Sequence, residues 1–138
     1  MIDLAEARRI LDEGLRRAGS DSGKPVVIAV ADAHGDLVVL GRMDGAPVRS
    51  IRIAINKAYT AARVLSTTEE LAARLREAGR DVLVYGDPGF TLFPGGAPIR
   101  AQEAVIGAVG ISGRTAEEDQ ALADQLAGLL MQAGRPAR

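Results

Sequence analysis

The chain of 138 residues has the length of one ordinary domain, and we expect residues 1–138 to fold as a single one. Its composition, 47% apolar and 25% charged, is typical of a globular protein. The 17 basic and 18 acidic residues nearly cancel, which argues against a nucleic acid or a membrane surface as the partner, and the absence of cysteine excludes disulfides, thiolate metal sites and a thiol nucleophile.

The start of the chain bears on its location in the cell. Asp3 and Glu6 lie where a secretory leader would have basic residues followed by a long apolar stretch. Nowhere does the sequence reach the roughly 18 consecutive apolar residues of a membrane-spanning helix. We therefore expect a cytoplasmic protein.

A first helix is predicted next to this terminus. Asp3 and Glu6 have the spacing of a capping box, in which each side chain accepts a hydrogen bond from the backbone of the other residue. Apolar residues recur at helical spacing from Leu4 to Ala18, and Gly19 follows them. The pattern predicts a helix with one buried face that ends at Gly19.

A β-hairpin follows this helix. Residues 26–30 are mostly β-branched, residues 37–40 are apolar, and the turn-forming residues 32–36 lie between them. This arrangement predicts two antiparallel strands joined by a short turn. His34, the only histidine of the chain, lies at the tip of the predicted hairpin.

The second predicted helix covers residues 47–65. Asp44 is predicted to cap it, and Pro47 is typical of a first helical turn. Its apolar residues spread over much of its circumference, which predicts a helix buried between other elements. Lys57 lies in the middle of this apolar helix.

Two further helices are each preceded by a capping-box pattern. The third is predicted from Thr67 to Gly79, and the last from Thr115 through Leu130, with fraying over residues 134–138.

The remaining strands are predicted between these two helices. Residues 82–85 form a strand or a loop, residues 91–93 and 98–101 form short strands, and residues 105–112 form the strongest strand. Both faces of this last strand lack polar side chains other than Ser112, so we expect both to be covered, and its small residues would let a helix approach closely. The predicted fold class is α+β, with a five-stranded antiparallel sheet flanked by helices in three layers.

Five segments of the chain are similar to a known family. They read VADAHGDLV, RMDGA, KA with TAA, PGGAPI and GAVGISG, at residues 30–38, 42–46, 57–62, 94–99 and 107–113. In this order they resemble the GlcG/HbpS family, which includes the C-terminal domain of PduO. The resemblance implies a profilin-like α/β/α fold and assembly into dimers, tetramers or octamers. It also implies a small-molecule ligand, with haem as the cofactor, since members are haem-binding, haem-degrading, metal-binding or accessory proteins.

His34 is the candidate metal and cofactor ligand. Imidazole is the usual protein ligand of haem iron and of borderline metals. One histidine without cysteine cannot complete a tetrahedral zinc site, so a metal would need carboxylates such as Asp32 or Asp36, a neighbouring subunit or a porphyrin. The alternative is a polar turn residue beside Gly35 that has no ligand.

Lys57 is the candidate catalytic residue. A lysine on an apolar helix face is partly desolvated, which lowers its pKa and favours a base, a Schiff-base former or an anion clamp. Alternatively, its ammonium group reaches water or pairs with a carboxylate. Arg42 and Asp44 are candidates for orienting a substrate, and Thr60, in the same family segment as Lys57, is a candidate ligand contact.

The glycine-rich segment of residues 85–96 holds three of the four aromatic residues, Phe90 and Phe93 among them. Aromatic rings in such a segment wall a pocket, and a planar ligand such as haem would suit it. Gly95 and Gly96 are predicted to contact the same ligand. The alternative is a small core or a subunit contact.

The glycines of residues 107–113 do not form a nucleotide-binding fingerprint, because their spacing does not match one and no P-loop lysine follows. The start of the last helix at Thr115 could still accept a carboxylate or a haem propionate.

Three hypotheses about function follow. The first is binding of haem or another planar or anionic ligand, with His34 as axial ligand. The second is an enzyme acting on a small carbonyl or carboxylate metabolite, with Lys57 as base or imine former. The third is an accessory subunit of a larger enzyme system. The first two assume that the hairpin tip, the lysine helix and the aromatic segment share one pocket.

Overall fold

The computed structural model describes residues 1–133, so the predicted fraying of residues 134–138 lies outside the described residues. The helices are α1 (Leu4–Gly19), α2 (Arg49–Val64), α3 (Thr68–Ala78), α4 (Ala116–Ala127) and α5 (Leu129–Ala133). The strands are β1 (Val27–Asp32), β2 (Leu37–Arg42), β3 (Gly96–Ala101) and β4 (Ala104–Ser112). A 3-10 helix, Val82–Tyr85, lies between α3 and β3.

The strands form one antiparallel sheet in the order β2-β1-β4-β3. The predicted α+β class, with an antiparallel sheet flanked by helices, is confirmed, and the predicted hairpin is the β1–β2 pair. The prediction of five strands is wrong, because the sheet has four.

Two hydrogen bonds explain why the fifth strand is missing. The Asp81 side chain accepts a hydrogen bond from the Leu83 backbone N–H at 3.0 Å and so caps a 3-10 turn where a strand was one of two alternatives. Thr91, in the predicted strand of residues 91–93, donates its backbone N–H to the Thr60 hydroxyl of α2 at 3.0 Å. Its hydrogen bond therefore goes to a helix and not to a neighbouring strand.

Apolar side chains cover both faces of the sheet, as the strand pattern of residues 105–112 predicts. On β1, Ile28 and Val30 join the cluster beneath α1 and α4, whereas Val27 and Ala29 join the cluster beneath α2. This alternation follows from the two-residue period of a strand. Burial of each such valine or isoleucine stabilises the fold by about 1.5–3 kcal/mol.

Helix α2 lies unusually close to the sheet. A Cβ atom on Gly110 of β4 would overlap the carbonyl oxygen of Ala54, and one on Gly96 of β3 would overlap that of Lys57. The predicted close approach of a helix to this strand is therefore confirmed. The outer face of α2, which carries the exposed Arg52, is not enclosed, so the predicted burial holds for one side of the helix.

The helix starts are explained by their caps. The predicted capping boxes at Asp3, Thr67 and Thr115 are all present. The predicted cap at Asp44 is wrong, because α2 begins after Val48, which makes no side-chain cap bond. A turn at Gly45, with a φ of 87°, separates Asp44 from the helix.

No helix within residues 1–133 combines the length and apolar character needed to cross a bilayer.

Candidate functional site

Two depressions lie at opposite ends of α2. The first, which we call the tip groove, is open and has a volume of about 670 Å³. It is lined by Ala33, His34, Ala62, Arg63, Val64, Leu65, Arg74, Tyr85 and Phe90. The second, which we call the lysine cavity, has a volume of about 270 Å³. It is lined by Pro47, Arg49, Ser50, Ile53, Lys57, Phe93, Pro94, Ser112, Gly113, Arg114, Ala116 and Asp119.

The hairpin turn presents His34 at the edge of the tip groove. The Asp32 carboxylate accepts a hydrogen bond from the His34 backbone N–H at 2.8 Å, and Arg63 of α2 donates its Nε–H to the His34 carbonyl at 3.0 Å. Gly35 adopts the positive φ of 92° that the turn requires. These bonds fix the backbone and leave the exposed imidazole available to a ligand.

Aromatic rings form another wall of the tip groove. The rings of Tyr85 and Phe90 lie 4.5 Å apart, and Tyr59 packs edge-on behind Phe90 at 5.8 Å. The Arg63 guanidinium lies 4.4 Å from the centre of the Tyr59 ring, a distance typical of a cation–π contact. The Tyr59 hydroxyl donates a hydrogen bond to Asp87, which fastens this wall to α2.

Thr60 supports the aromatic wall from inside. It is fully buried, and its hydroxyl donates to the Asn56 carbonyl at 2.8 Å and accepts the Thr91 N–H. The Gly89 carbonyl, at 3.4 Å, is a further acceptor for this hydroxyl, which is therefore engaged within the protein. Thr60 lines neither depression.

The lysine cavity is built around a buried ion pair. Lys57 is only 3% exposed, and its Nζ donates to the Ile111 carbonyl at 2.7 Å and lies 3.3 Å from Asp119 Oδ2. Burial lowers the pKa of Lys57, and the Asp119 charge offsets only part of this effect. Burial likewise raises the pKa of Asp119, although Lys57 and the Arg114 backbone N–H act against it. Lys57 is thus desolvated, as one alternative predicted, and paired with a carboxylate, as the other predicted.

Gly95 and Gly96 lie against Lys57. A Cβ atom on Gly95 would come within 2.8 Å of the Lys57 Nζ. The Gly95 N–H donates to Gln120 Oε1 at 2.7 Å, and the Gly96 N–H donates to the Thr68 hydroxyl at 3.0 Å. These glycines cover the lysine and line neither depression.

The predicted site residues are thus divided among several places. His34 and Phe90 line the tip groove, and Lys57 and Phe93 line the lysine cavity. The hairpin tip, the lysine and the aromatic segment were expected to share one pocket, but their side chains line two separate depressions. Arg42 and Asp44, near the end of β2, are exposed and line neither.

Sequence reasoning missed the carboxylate that pairs with Lys57. Asp119 lies in the first turn of α4, after the capping Thr115, where acidic residues are common because they interact favourably with the helix dipole. However, it shares a helical stripe with the buried Leu122, Ala123 and Leu126. The position of an acidic residue on this apolar stripe could have indicated that Asp119 is buried and pairs with a buried cation.

Within residues 1–133, no three or more histidine, aspartate or glutamate side chains converge on a common point that could hold a metal ion.

Comparisons with known proteins agree with this architecture. The chain is 34% identical over 128 residues to an uncharacterised 15.0 kDa protein of the dhaT-dhaS intergenic region of Citrobacter freundii, covering 89% of this chain and 87% of that protein. It is 31% identical to corrinoid adenosyltransferase PduO of the same organism, over 72% of this chain but only 30% of PduO. A solved complex of PduOC with heme superposes with a TM-score of 0.81 at 27% identity, covering 92% of this chain and 93% of the other.

The family described as haem-degrading protein HbpS-like matches residues 2–127. The predicted resemblance to GlcG/HbpS proteins is confirmed, and the chain belongs to the HbpS-like family.

Proposed function

We propose that the protein binds haem in the tip groove, with His34 as an axial ligand of the iron. The observation that carries this proposal is the chemistry of the groove, which gathers the only histidine of the chain, two aromatic rings and two guanidinium groups. Haem bound there would supply a redox-active iron.

Each part of haem has a matching group in the groove. Tyr85 and Phe90 offer flat apolar surface to the porphyrin. Arg63 and Arg74 offer guanidinium groups to the two propionates, which are carboxylates. The HbpS-like family and the heme complex of PduOC support the same choice of ligand. In this proposal Phe90 and His34 keep their predicted role as cofactor contacts.

Hemin titration followed by visible absorbance tests the proposal. We expect a saturable, shifted Soret band with one hemin per chain, and His34→Ala should lose the shift because no other histidine can replace the ligand. Added imidazole should restore the band in this variant. An unshifted and unsaturable signal, or a variant that binds like the parent protein, would contradict the proposal.

A pair of arginine variants tests the propionate contact. Arg74→Gln should weaken hemin binding about tenfold, the size expected for one charge-assisted hydrogen bond. Arg76→Gln is the matched control, since Arg76 lies on the same helix, is exposed and does not line the groove. Equal weakening in both variants would indicate general electrostatic attraction and no specific contact.

The lysine cavity favours a second candidate function. A desolvated Lys57 beside the Asp119 carboxylate suits a base or an imine former acting on a small carbonyl or carboxylate compound. In such an enzyme, substrate orientation would fall to residues of the cavity, because Arg42 and Asp44 lie outside it. The role of an accessory subunit stays a prediction.

A further inference from the structure

The lysine cavity carries an excess of positive charge. Asp119 balances Lys57, and Asp21 balances the Arg114 guanidinium at 2.9 Å. Arg49, at the first residue of α2, has no carboxylate partner within residues 1–133. Glu117 and Glu118 in the first turn of α4 counter the positive end of that helix, but neither lines the cavity. The cavity is therefore electrostatically suited to an anion.

Two serine residues with little exposed surface also line the cavity. Ser50 is 3% exposed and Ser112 is 5% exposed. Neither hydroxyl makes a hydrogen bond within residues 1–133, and no buried side-chain oxygen of these residues lacks a partner, so both hydroxyl oxygens are open to the cavity. Because each hydroxyl can donate and accept a hydrogen bond, a ligand in the cavity that carries oxygen atoms can bond to both.

The dimensions of the cavity restrict the ligand. The cavity has a volume of about 270 Å³. Pockets that bind drug-sized molecules have volumes of about 300–1,000 Å³, so the ligand of this cavity must be smaller. Phe93 and Pro94 provide apolar wall, so a short carbon skeleton would be accommodated beside the polar groups.

We propose that the lysine cavity binds a small carboxylate that carries a second oxygen on the neighbouring carbon. Arg49 pairs with the carboxylate, and Ser50 and Ser112 bond to the second oxygen. This site deepens the second candidate function by naming its ligand class. It depends neither on haem in the tip groove nor on a reaction at Lys57.

Calorimetric titration with three probes tests the ligand class. Lactate has both features, lactamide lacks the charge, and propionate lacks the second oxygen. We expect lactate to bind saturably with one molecule per chain, and about tenfold more tightly than lactamide because a charge-assisted hydrogen bond is lost with the carboxylate. Propionate should bind more weakly than lactate. Equal binding of lactate and lactamide, or no binding of lactate, would overturn the proposal.

Variants of α2 test the location. Arg49→Gln should weaken lactate binding about tenfold, whereas Arg52→Gln should leave it unchanged. Arg52 is the matched control because it is exposed on the same helix and lies outside the cavity. Ser50→Ala should reduce the preference for lactate over propionate. Equal effects of the two arginine variants, or an unchanged preference in Ser50→Ala, would refute the assignment.

A last titration separates this site from the tip groove. The affinity for lactate should be the same before and after saturation with hemin, since the two depressions share no lining residue. If hemin does not bind, lactate binding still reports on the lysine cavity alone. Competition between hemin and lactate would contradict a separate site.

Discussion

The ammonium group of Lys57 is almost completely removed from water, and two partners offset part of the cost. They are the Ile111 carbonyl at 2.7 Å and the Asp119 carboxylate at 3.3 Å. Breaking a buried pair on one side leaves an uncompensated charge, which is more destabilising than removing both charges. The stability of the protein should therefore depend on the pair as a unit.

We expect Lys57→Met to lower the free energy of unfolding by about 3–5 kcal/mol, because Asp119 loses its counter-charge in a buried position. The double variant Lys57→Met/Asp119→Asn should recover much of this loss. Urea denaturation measures both, and Arg52→Met on the exposed face of α2 is the control. A double variant that is less stable than Lys57→Met would show that the charge of Asp119 is not the cause.

His34 presents the opposite situation. Its backbone is bonded to Asp32 and Arg63, but its imidazole is exposed and takes part in no hydrogen bond within residues 1–133. Removal of the imidazole should therefore leave stability nearly unchanged. Loss of hemin binding in His34→Ala can then be attributed to the ligand and not to unfolding.

The contact between α2 and the sheet depends on strand residues without side chains. Gly110 meets the backbone of α2 at Ala54 and Ala58, and rigid backbone cannot move aside as a flexible side chain can. The position of α2 matters for function because its C-terminal end lines the tip groove and its N-terminal half lines the lysine cavity.

Gly110→Ala should destabilise the protein by about 1–3 kcal/mol or more, the cost of overpacking a filled contact. Gly19→Ala is the matched control, because an added Cβ atom at Gly19 would meet nothing within 4 Å. Urea denaturation of both variants measures the difference. Equal stabilities would contradict the close contact between α2 and β4.

The segment between the 3-10 helix and β3 is positioned by side chains of other elements. Asp87 bonds to Tyr59, Thr91 to Thr60 and Gly95 to Gln120. These three attachments direct the segment across α2. As a result Phe90 reaches the tip groove, and Phe93 reaches the lysine cavity.

An apolar patch on the surface of the molecule lies next to the tip groove. Leu83 is 80% exposed and Val84 is 56% exposed on the 3-10 helix, beside Tyr85 of the groove. Clustered apolar side chains of this kind are typical of surfaces that bind another protein. They are consistent with the homo-oligomer expected from the family resemblance, which stays a prediction.

Light scattering after size exclusion tests this expectation. We expect a molar mass of at least twice that of one chain, and Leu83→Asp should shift it towards the monomer because a charge cannot be buried there without a partner. Leu4→Asp is the control, since Leu4 is 57% exposed on a different element, α1. A monomeric parent protein would rule out the homo-oligomer under these conditions.

Features that depend on residues close in sequence were determined by the sequence itself. Capping boxes join residues three apart, so those at Asp3, Thr67 and Thr115 could be predicted correctly. The hairpin and the strand near residues 105–112 were also predictable, because their β-branched or small residues and their turn lie within one segment. The order of these elements along the chain then predicted the α+β class, which the structure confirms.

Only the tertiary structure decided which distant residues meet. Residues 91–93 are not a strand, because the Thr91 backbone N–H donates to the Thr60 hydroxyl of α2, 31 positions away in the sequence. Lys57 and Asp119 are 62 positions apart, and no local pattern specifies their contact. His34 and Lys57 are predicted to share one pocket, but the hairpin turn places His34 beside the C-terminal end of α2, whereas Lys57 faces a cavity formed by the N-terminal half of that helix. Packing against the sheet, and not sequence spacing, sets this separation.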